Sequence, residues 1–215
     1  MYTAEQIAGA LDFAVFRPTA RAEDIRVACE LVRRHKIRTI CVAPIYARLA
    51  VEQKVTVCAV VGFPHGTSTP SQKRNEALAL LDDGVKEWDV VINYGRLLDG
   101  DIAPVEQELT AIIDLARSHR ASVKAIMEAC YYTMSQLEEA GRLCVGLGVD
   151  FLKTSSGYGL HGANPQNIKA LLQAVKGTDA QVKASGGIKS YNDAAKFLDL
   201  GCTRLGASRF KELLP

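Results

Sequence analysis

The sequence predicts an α/β protein in which eight parallel strands close into a single (β/α)₈ barrel. Short apolar strand patterns alternate with amphipathic helical patterns along the chain, several strand patterns are apolar throughout, and no linker interrupts the series. Strands that are apolar on both faces are typical of parallel sheets covered by helices. The length of 215 residues fits one such barrel, so we expect a single domain over residues 1–215.

Eight apolar runs rich in β-branched residues are the candidate strands. In chain order they are Leu11–Phe16, Thr39–Val42, Val55–Gly62, Trp88–Asn93, Ser122–Glu128, Asp150–Ser155, Gln181–Ser185 and Thr203–Gly206. A doubly wound open sheet is the main alternative. The Gly-x-Gly-x-x-Gly segment usual in that fold is absent after the first strand, which favours the closed barrel.

Capping residues mark the ends of the intervening helices. Thr133 with Gln136 has the pattern of a capping box, and Asn164 precedes a proline at a first helical position. Ser190 with Asp193 offers a similar N-terminal cap. Glycines such as Gly148 follow helical patterns where a C-terminal glycine belongs. A short N-terminal helix is expected before the first strand.

The charge balance and the N-terminus exclude several classes of protein. Lysine and arginine number 26 against 24 acidic residues, and the two signs are interspersed, which argues against a nucleic-acid-binding or membrane-binding surface. The N-terminal segment has no basic leader, and Asp12 interrupts its apolar stretch. We therefore expect neither a signal peptide nor a transmembrane span. The six cysteines are scattered, which predicts free thiols in a reducing cytoplasm and no metal site.

Three consecutive candidate strands each carry a lysine within an apolar run, namely Lys124, Lys153 and Lys183. A buried lysine needs an acid partner, a lowered pKa or a catalytic role. A single one is more often part of a structural ion pair, and Asp89 and Glu128 are available acids. Three such lysines, two of them followed by Ser/Gly turns, favour catalysis, because barrel active sites lie at the C-terminal ends of the strands.

These side chains suit amine catalysis. A lysine attacks a carbonyl only when its amine is neutral, and a neighbouring ammonium favours the neutral form. Lys153 and Lys183 lie on adjacent strands and could form such a pair. A carboxylate such as Asp89 could then carry protons during carbinolamine formation and carbon–carbon bond cleavage.

Glycine-rich turns follow the last two candidate strands. Gly186 and Gly187 follow the seventh strand, and Gly206 and Ser208 lie at the end of the eighth. In many barrels these two loops bind phosphate through backbone N–H groups near a helix N-terminus. We expect these four residues to bind phosphate, with Ser208 at the start of a last helix.

Five segments together have a specific pattern. They read Lys-Thr-Ser-Ser-Gly at 153–157, Val-Lys-Ala-Ser-Gly-Gly-Ile-Lys at 182–189, Val-Val-Gly-Phe-Pro-His-Gly at 60–66, Trp-Asp-Val-Val-Ile-Asn at 88–93 and Val-Lys-Ala-Ile-Met-Glu-Ala at 123–129. In these segments the chain resembles the deoxyribose-phosphate aldolase family, and the resemblance is collinear over essentially the whole sequence. The barrel would then be a TIM barrel that carries a class I, Schiff-base aldolase.

The resemblance implies a role for each candidate site residue. Lys153 would form the Schiff base, Lys183 would tune it, and Asp89 would be the acid of a proton relay. Gly157, which ends the Lys153 motif, would join Gly186, Gly187, Gly206 and Ser208 in binding the phosphorylated substrate. The reaction would be reversible cleavage of 2-deoxy-D-ribose 5-phosphate to D-glyceraldehyde 3-phosphate and acetaldehyde. The reaction would need no metal or organic cofactor. The enzyme would be a homo-oligomer, either a dimer or a tetramer.

The chain departs from the family pattern near the substrate. The first strand of the family usually reads Asp-His-Thr-Leu-Leu-Lys-Pro, whereas residues 12–18 read Asp-Phe-Ala-Val-Phe-Arg-Pro, so Ala14 lacks a hydroxyl. Ala43 stands where the family often has asparagine, and Tyr158 could cover the phosphate or the sugar. A related Schiff-base aldolase for a different or unphosphorylated aldehyde is therefore the second hypothesis. A phosphate-binding barrel isomerase, or a binding protein with structural lysines, is the third.

Overall fold

The computed structural model describes residues 1–214, in which eight parallel strands form a closed barrel. Each strand pairs with the next along the chain, and the last strand pairs with the first. This confirms the predicted fold class. The strands are β1 (Leu11–Val15), β2 (Thr39–Val42), β3 (Val57–Val61), β4 (Glu87–Val91), β5 (Ser122–Ile126), β6 (Phe151–Lys153), β7 (Gln181–Ser185) and β8 (Arg204–Ala207).

Nine α-helices lie in the described part of the chain, and the first of them precedes the barrel as expected. They are α1 (Ala4–Ala10), α2 (Ala22–Arg34), α3 (Ala47–Glu52), α4 (Pro70–Asp82), α5 (Tyr94–Leu98), α6 (Ile102–Ser118), α7 (Met134–Leu147), α8 (Pro165–Ala174) and α9 (Tyr191–Asp199). The predicted caps are present. The side chains of Thr133, Asn164 and Ser190 accept hydrogen bonds from the third residue of their helices, and Gly148 ends α7 with a φ of 101°.

Several strands end earlier than predicted, because their C-terminal residues leave the sheet to build loops. The fourth strand was expected over Trp88–Asn93 but ends at Val91, and Asn93 instead caps α5 by accepting a hydrogen bond from the Arg96 amide. The third ends at Val61, because Gly62 turns the chain with a φ of 63°. Because the strands are parallel, the loops that follow them all lie on one face of the barrel.

The expectation of a last helix after the eighth strand was wrong. Within the described residues, the segment 208–214 forms bends and turns, so Ser208 does not open a helix. Packing of this segment against the barrel explains its course. The Phe210 ring contacts that of Phe13 at 5.2 Å, and Leu213 is fully buried.

The apolar core lies between the strands and the surrounding helices, where Ile40, Trp88, Leu152 and Leu205 are fully buried. The interior of the barrel differs from the usual packing of branched apolar side chains. It contains buried charged residues from several strands, namely Asp12, Asp89, Lys124, Lys153, Lys183 and Arg204. No helix within residues 1–214 is both long and apolar enough to cross a membrane.

Candidate active site

Lys153 and Lys183 face each other on neighbouring strands. They are register partners of β6 and β7, and each is almost fully buried. Their Nζ atoms donate hydrogen bonds to the same atom, Oδ2 of Asp89, at 2.6 Å and 2.7 Å. The structure therefore brings the three predicted catalytic residues into one hydrogen-bonded group.

Lys124 fits the structural ion-pair interpretation. Its Nζ lies 2.7 Å from Glu87 Oε2 and 3.0 Å from Asp89 Oδ1, and its side chain is fully buried. Lys124 is absent from the residues that line the cavity described below. Glu128, the other acid considered as a lysine partner, instead accepts hydrogen bonds from the amide and the hydroxyl of Ser156. That expectation was wrong for Glu128, because its strand ends before it and its backbone turns into the left-handed region at φ 49°.

Asp12 is a member of the site that sequence reasoning missed. Its Oδ2 accepts a hydrogen bond from Lys183 at 2.5 Å, and its Oδ1 accepts one from Arg204 at 2.7 Å. A charged residue inside an otherwise apolar first strand was the available signal, but we interpreted it only as evidence against a membrane span. Asp12 also lines the cavity.

The pKa values of the cluster are set by opposition between burial and charge pairing. Burial raises the pKa of Asp89, but Lys124, Lys153 and Lys183 outweigh it and hold that pKa well below its usual value. Burial lowers the pKa of Lys183, whereas Asp12 and Asp89 together raise it above the usual value. Asp89 is therefore an anion and Lys183 a cation over the physiological range.

A cavity of about 430 Å³ opens above Lys153 and Lys183 at the C-terminal ends of the strands. All five residues predicted to bind the substrate line it: Gly157, Gly186, Gly187, Gly206 and Ser208. Gly186 and Gly187 have φ values of 83° and 78°, a conformation that favours glycine. A Cβ atom at Gly206 would lie 3.2 Å from Cε of Lys183 and 2.9 Å from Cβ of Ser185.

The walls of the cavity differ in chemistry. The glycine-rich wall also carries Lys189 and Arg209, two cations that were not predicted from the sequence. Phe16 and Tyr158 form an aromatic wall, and Phe63, which does not line the cavity itself, packs against both rings. The Phe16 ring lies 6.0 Å from Lys153 Nζ and 4.8 Å from the Phe63 ring, which in turn contacts the Tyr158 ring at 5.4 Å. An anionic group and an apolar group could thus both be held close to the amine.

Of the three residues singled out near the substrate, two are part of this cavity and one is not. Ala14 and Tyr158 line it, and the side chain that lines it from β2 is Cys41. Ala43, which lies between the end of β2 and a 3₁₀ turn at Pro44–Tyr46, is absent from the lining residues. The apolar character of the substrate pocket therefore comes from Ala14 and the aromatic wall.

Cys41, Cys58 and Asp89 bring possible metal ligands within 4.8 Å of one another. The surroundings disfavour a cation. Both Asp89 oxygens already accept hydrogen bonds from lysines, and the Lys124 ammonium lies 3.3 Å from Cys58 Sγ. Burial also raises the pKa of the Cys58 thiol well above its usual value, which disfavours the thiolate that a metal would need.

Comparison with known proteins assigns the chain to a family. The family model described as "DeoC/LacD family aldolase" matches residues 7–208. The chain belongs to this aldolase family. Among curated relatives, the deoxyribose-phosphate aldolase of Treponema denticola is 35% identical over 202 residues, which cover 92% of this chain and 93% of the relative. That of Listeria monocytogenes is 37% identical over 206 residues, which cover 94% and 92%.

Solved structures of similar proteins agree with the family assignment. The "unique tetrameric structure of deoxyribose phosphate aldolase from Aeropyrum pernix" superimposes with a TM-score of 0.91 and 31% identity, over 98% of this chain and 90% of that one. A putative deoxyribose-phosphate aldolase from Coccidioides immitis gives a TM-score of 0.92 and 31% identity, over 96% and 83%. This aldolase therefore shares its barrel with proteins of the predicted activity.

Proposed function

We propose that this family member is a class I aldolase that reversibly cleaves 2-deoxy-D-ribose 5-phosphate to D-glyceraldehyde 3-phosphate and acetaldehyde through a Schiff base on Lys153. The observation that carries the proposal is the pair of lysines at the floor of the cavity. Lys153 lines the cavity, and its amine shares one Asp89 oxygen with Lys183. The curated relatives bear the name of this activity.

The first half of the reaction forms the iminium. The neutral amine of Lys153 adds to the C1 aldehyde carbon of the open-chain sugar and gives a carbinolamine. Lys183, a cation that lines the same cavity, can protonate the departing hydroxyl, which leaves as water. Asp89 rests as an anion, orients both amines, and is protonated only transiently when it relays a proton between its own hydrogen-bond partners.

The second half breaks the carbon–carbon bond. The C3 hydroxyl gives its proton to a base such as the Asp89 carboxylate, the C2–C3 bond breaks, and its electron pair neutralises the iminium nitrogen. Glyceraldehyde 3-phosphate leaves, and the relay returns the proton to C2 of the remaining enamine. Hydrolysis of the resulting iminium releases acetaldehyde and restores Lys153. Every bonding change is made by a lysine, a proton carrier or water, so the proposal requires no metal or organic cofactor.

The substrate phosphate would lie on the glycine-rich wall. Gly186, Gly187 and Gly206 would offer their backbone N–H groups to it, and Ser208 would add a hydroxyl. Gly157, which ends the Lys153 motif and lines the same cavity, would also contribute to binding of the phosphorylated substrate. Lys189 and Arg209 add positive charge to the phosphate side.

A comparison of two substrates tests this proposal. The kcat/KM for cleavage of 2-deoxyribose 5-phosphate is expected to exceed that for 2-deoxyribose by roughly a hundredfold or more, because phosphate binding energy is lost with the second substrate. Equal values for the two sugars would reject the phosphate assignment while leaving the Schiff-base chemistry intact.

The aromatic wall favours a second candidate function. Phe16 and Tyr158, which line the cavity with Ala14 and pack against Phe63, would suit an unphosphorylated aldehyde that carries an apolar group. A related Schiff-base aldolase with such a substrate would show no preference for the phosphorylated sugar in the same comparison. An isomerase or a binding protein would form no iminium and is separated from both by borohydride trapping.

We also propose that residues 1–215 act as one aldolase domain in a cytoplasmic homo-oligomer. The free state of all six cysteines suits a reducing compartment, and the Aeropyrum pernix relative is described as tetrameric. Neither nucleic acid nor a membrane is expected as a partner, since the net charge is only +2.

A further inference from the structure

Six charged side chains form a closed ring inside the barrel, in which acids and bases alternate. The contacts run from Asp12 to Lys183 (2.5 Å), Asp89 (2.7 Å), Lys124 (3.0 Å), Glu87 (2.7 Å) and Arg204 (2.9 Å), and back to Asp12 (2.7 Å). Lys153 is attached to this ring from outside, through Asp89. Three acids balance three bases, so the ring is formally neutral without Lys153.

Glu87 closes the ring at the end farthest from the substrate. It lies at the first position of β4, and its side chain is 13% exposed, whereas Asp12 and Asp89 are fully buried. Together with Arg204 it lines a second cavity, of about 440 Å³, which Arg38, Asp150 and Asp179 also line. The proposed reaction uses neither Glu87 nor this second cavity.

We propose that Glu87 is a positioning residue for the aldol reaction: it fixes Lys124 and Arg204 in the ring, and its charge helps to set the pH at which Lys153 becomes active. This inference rests on the proposed Schiff-base function. The local charges agree with it. Burial opposes the charged form of Lys124, yet Asp89, Cys58, Asp12 and Glu87 hold its pKa well above the usual value. Lys124 therefore stays a cation. Because it is paired with both Glu87 and Asp89, it couples the charge of Glu87 to that of Asp89.

The sign of the effect follows from the charge count. Replacing Glu87 by glutamine leaves the ring with one excess positive charge, which favours loss of a proton from the attached amine. The acidic limb of the pH–rate profile should then move to lower pH. Replacing Arg204 by glutamine leaves one excess negative charge and should move the limb to higher pH. Asp89, which accepts a hydrogen bond from Lys153, and Lys183, the register partner of Lys153 on β7, are unchanged in both variants, as are Asp12 and the nearby Glu128.

The experiment measures kcat/KM against pH for wild type, Glu87→Gln, Arg204→Gln and the double variant. We expect opposite shifts on the order of one pH unit in the single variants, as for one charge acting across a buried cluster. The double variant should return towards the wild-type limb. Glu87→Asp and Arg204→Lys keep the charges and should leave the limb in place even if turnover falls. Unmoved limbs in both glutamine variants, or shifts in the same direction, would overturn the proposal.

Two controls distinguish a failure of this proposal from a failure of the proposed Schiff-base function and from misfolding of a variant. Borohydride trapping with acetaldehyde in each variant reports the Schiff base itself, so a wild type that forms no adduct would reject the proposed function instead. Circular dichroism reports folding. If Glu87→Gln does not fold, the comparison of Arg204→Gln with Arg204→Lys decides the question alone. Only Arg204→Gln should move the acidic limb of the pH–rate profile to higher pH.

Discussion

Lys153 and Lys183 donate hydrogen bonds to the same oxygen of Asp89, at 2.6 Å and 2.7 Å. One carboxylate oxygen thus holds two amines within reach of each other at the floor of the cavity. Lys183 is also paired with Asp12, whereas Lys153 has Asp89 as its ion-pair partner among the described residues. Lys153 is therefore the one of these two amines that has the fewer carboxylate partners, which favours it as the amine that attacks a carbonyl.

Replacing Lys183 should change the pH dependence as well as the rate. Lys183→Leu removes a positive charge beside Lys153, so a proton is held there more tightly and the acidic limb of kcat/KM should move up by about one pH unit. Turnover should fall about a hundredfold or more, because a proton donor is also lost. Lys183→Arg keeps the charge and is the control. An unmoved limb in Lys183→Leu would reduce Lys183 to a geometric role.

Replacing Asp89 should cause a severe loss of activity. Two replacements, asparagine and leucine, show whether the loss comes from the missing charge or from the changed shape of the side chain. Asp89→Asn keeps the size of the side chain but leaves Lys124, Lys153 and Lys183 without the anion that they share. We expect kcat to fall about as far as in Asp89→Leu. An asparagine variant with nearly wild-type kcat would show that hydrogen bonding, and not charge, is what the amines require. Thermal melting monitors folding in both variants.

The phosphate site can be tested with two matched glycines. Gly187 and Gly177 have φ values of 78° and 80°, and at both positions an added Cβ atom would have no neighbouring atom within 4 Å, so alanine strains both backbones alike. Of the two, Gly187 lines the cavity. Gly187→Ala should lower kcat/KM for the phosphorylated sugar by about tenfold or more, with little effect on the unphosphorylated sugar. The same loss in Gly177→Ala, or an equal loss on both sugars, would contradict the assignment.

A buried ion pair outside the barrel should matter for stability. Lys73 Nζ of α4 lies 2.6 Å from Glu108 Oε1 of α6 and donates to the Val91 carbonyl at the end of β4. Lys73→Met leaves the carboxylate buried without its partner and should lower the free energy of unfolding by about 3 kcal/mol in urea titrations. Adding Glu108→Leu should recover most of that loss. The exposed Lys36–Glu5 pair is the control, and Lys36→Met should cause no measurable loss. Equal stability of wild type and Lys73→Met would show that the pair contributes nothing.

The sequence predicted the barrel and most of the site because its signals are local. A lysine inside an apolar run followed by Ser and Gly marks a strand that ends at a catalytic face, which identified Lys153 and Lys183. Long-range partners leave no such local mark. Glu87 opens its strand two residues before Asp89 but contacts Arg204, which lies 117 residues away in the chain. Lys73 is on a helix with no apolar run around it, so its burial against Glu108 was not predicted.

Covalent trapping tests the Schiff-base assignment to Lys153 most directly. The protein is incubated with acetaldehyde and sodium borohydride, digested, and mapped by mass spectrometry, with Lys153→Arg as the control. We predict a reduced two-carbon adduct on Lys153 in wild type and no adduct at that position in the variant, which should also be inactive in cleavage. An adduct on Lys183 or Lys124 that accounts for the lost activity, or an active Lys153→Arg enzyme, would contradict the assignment.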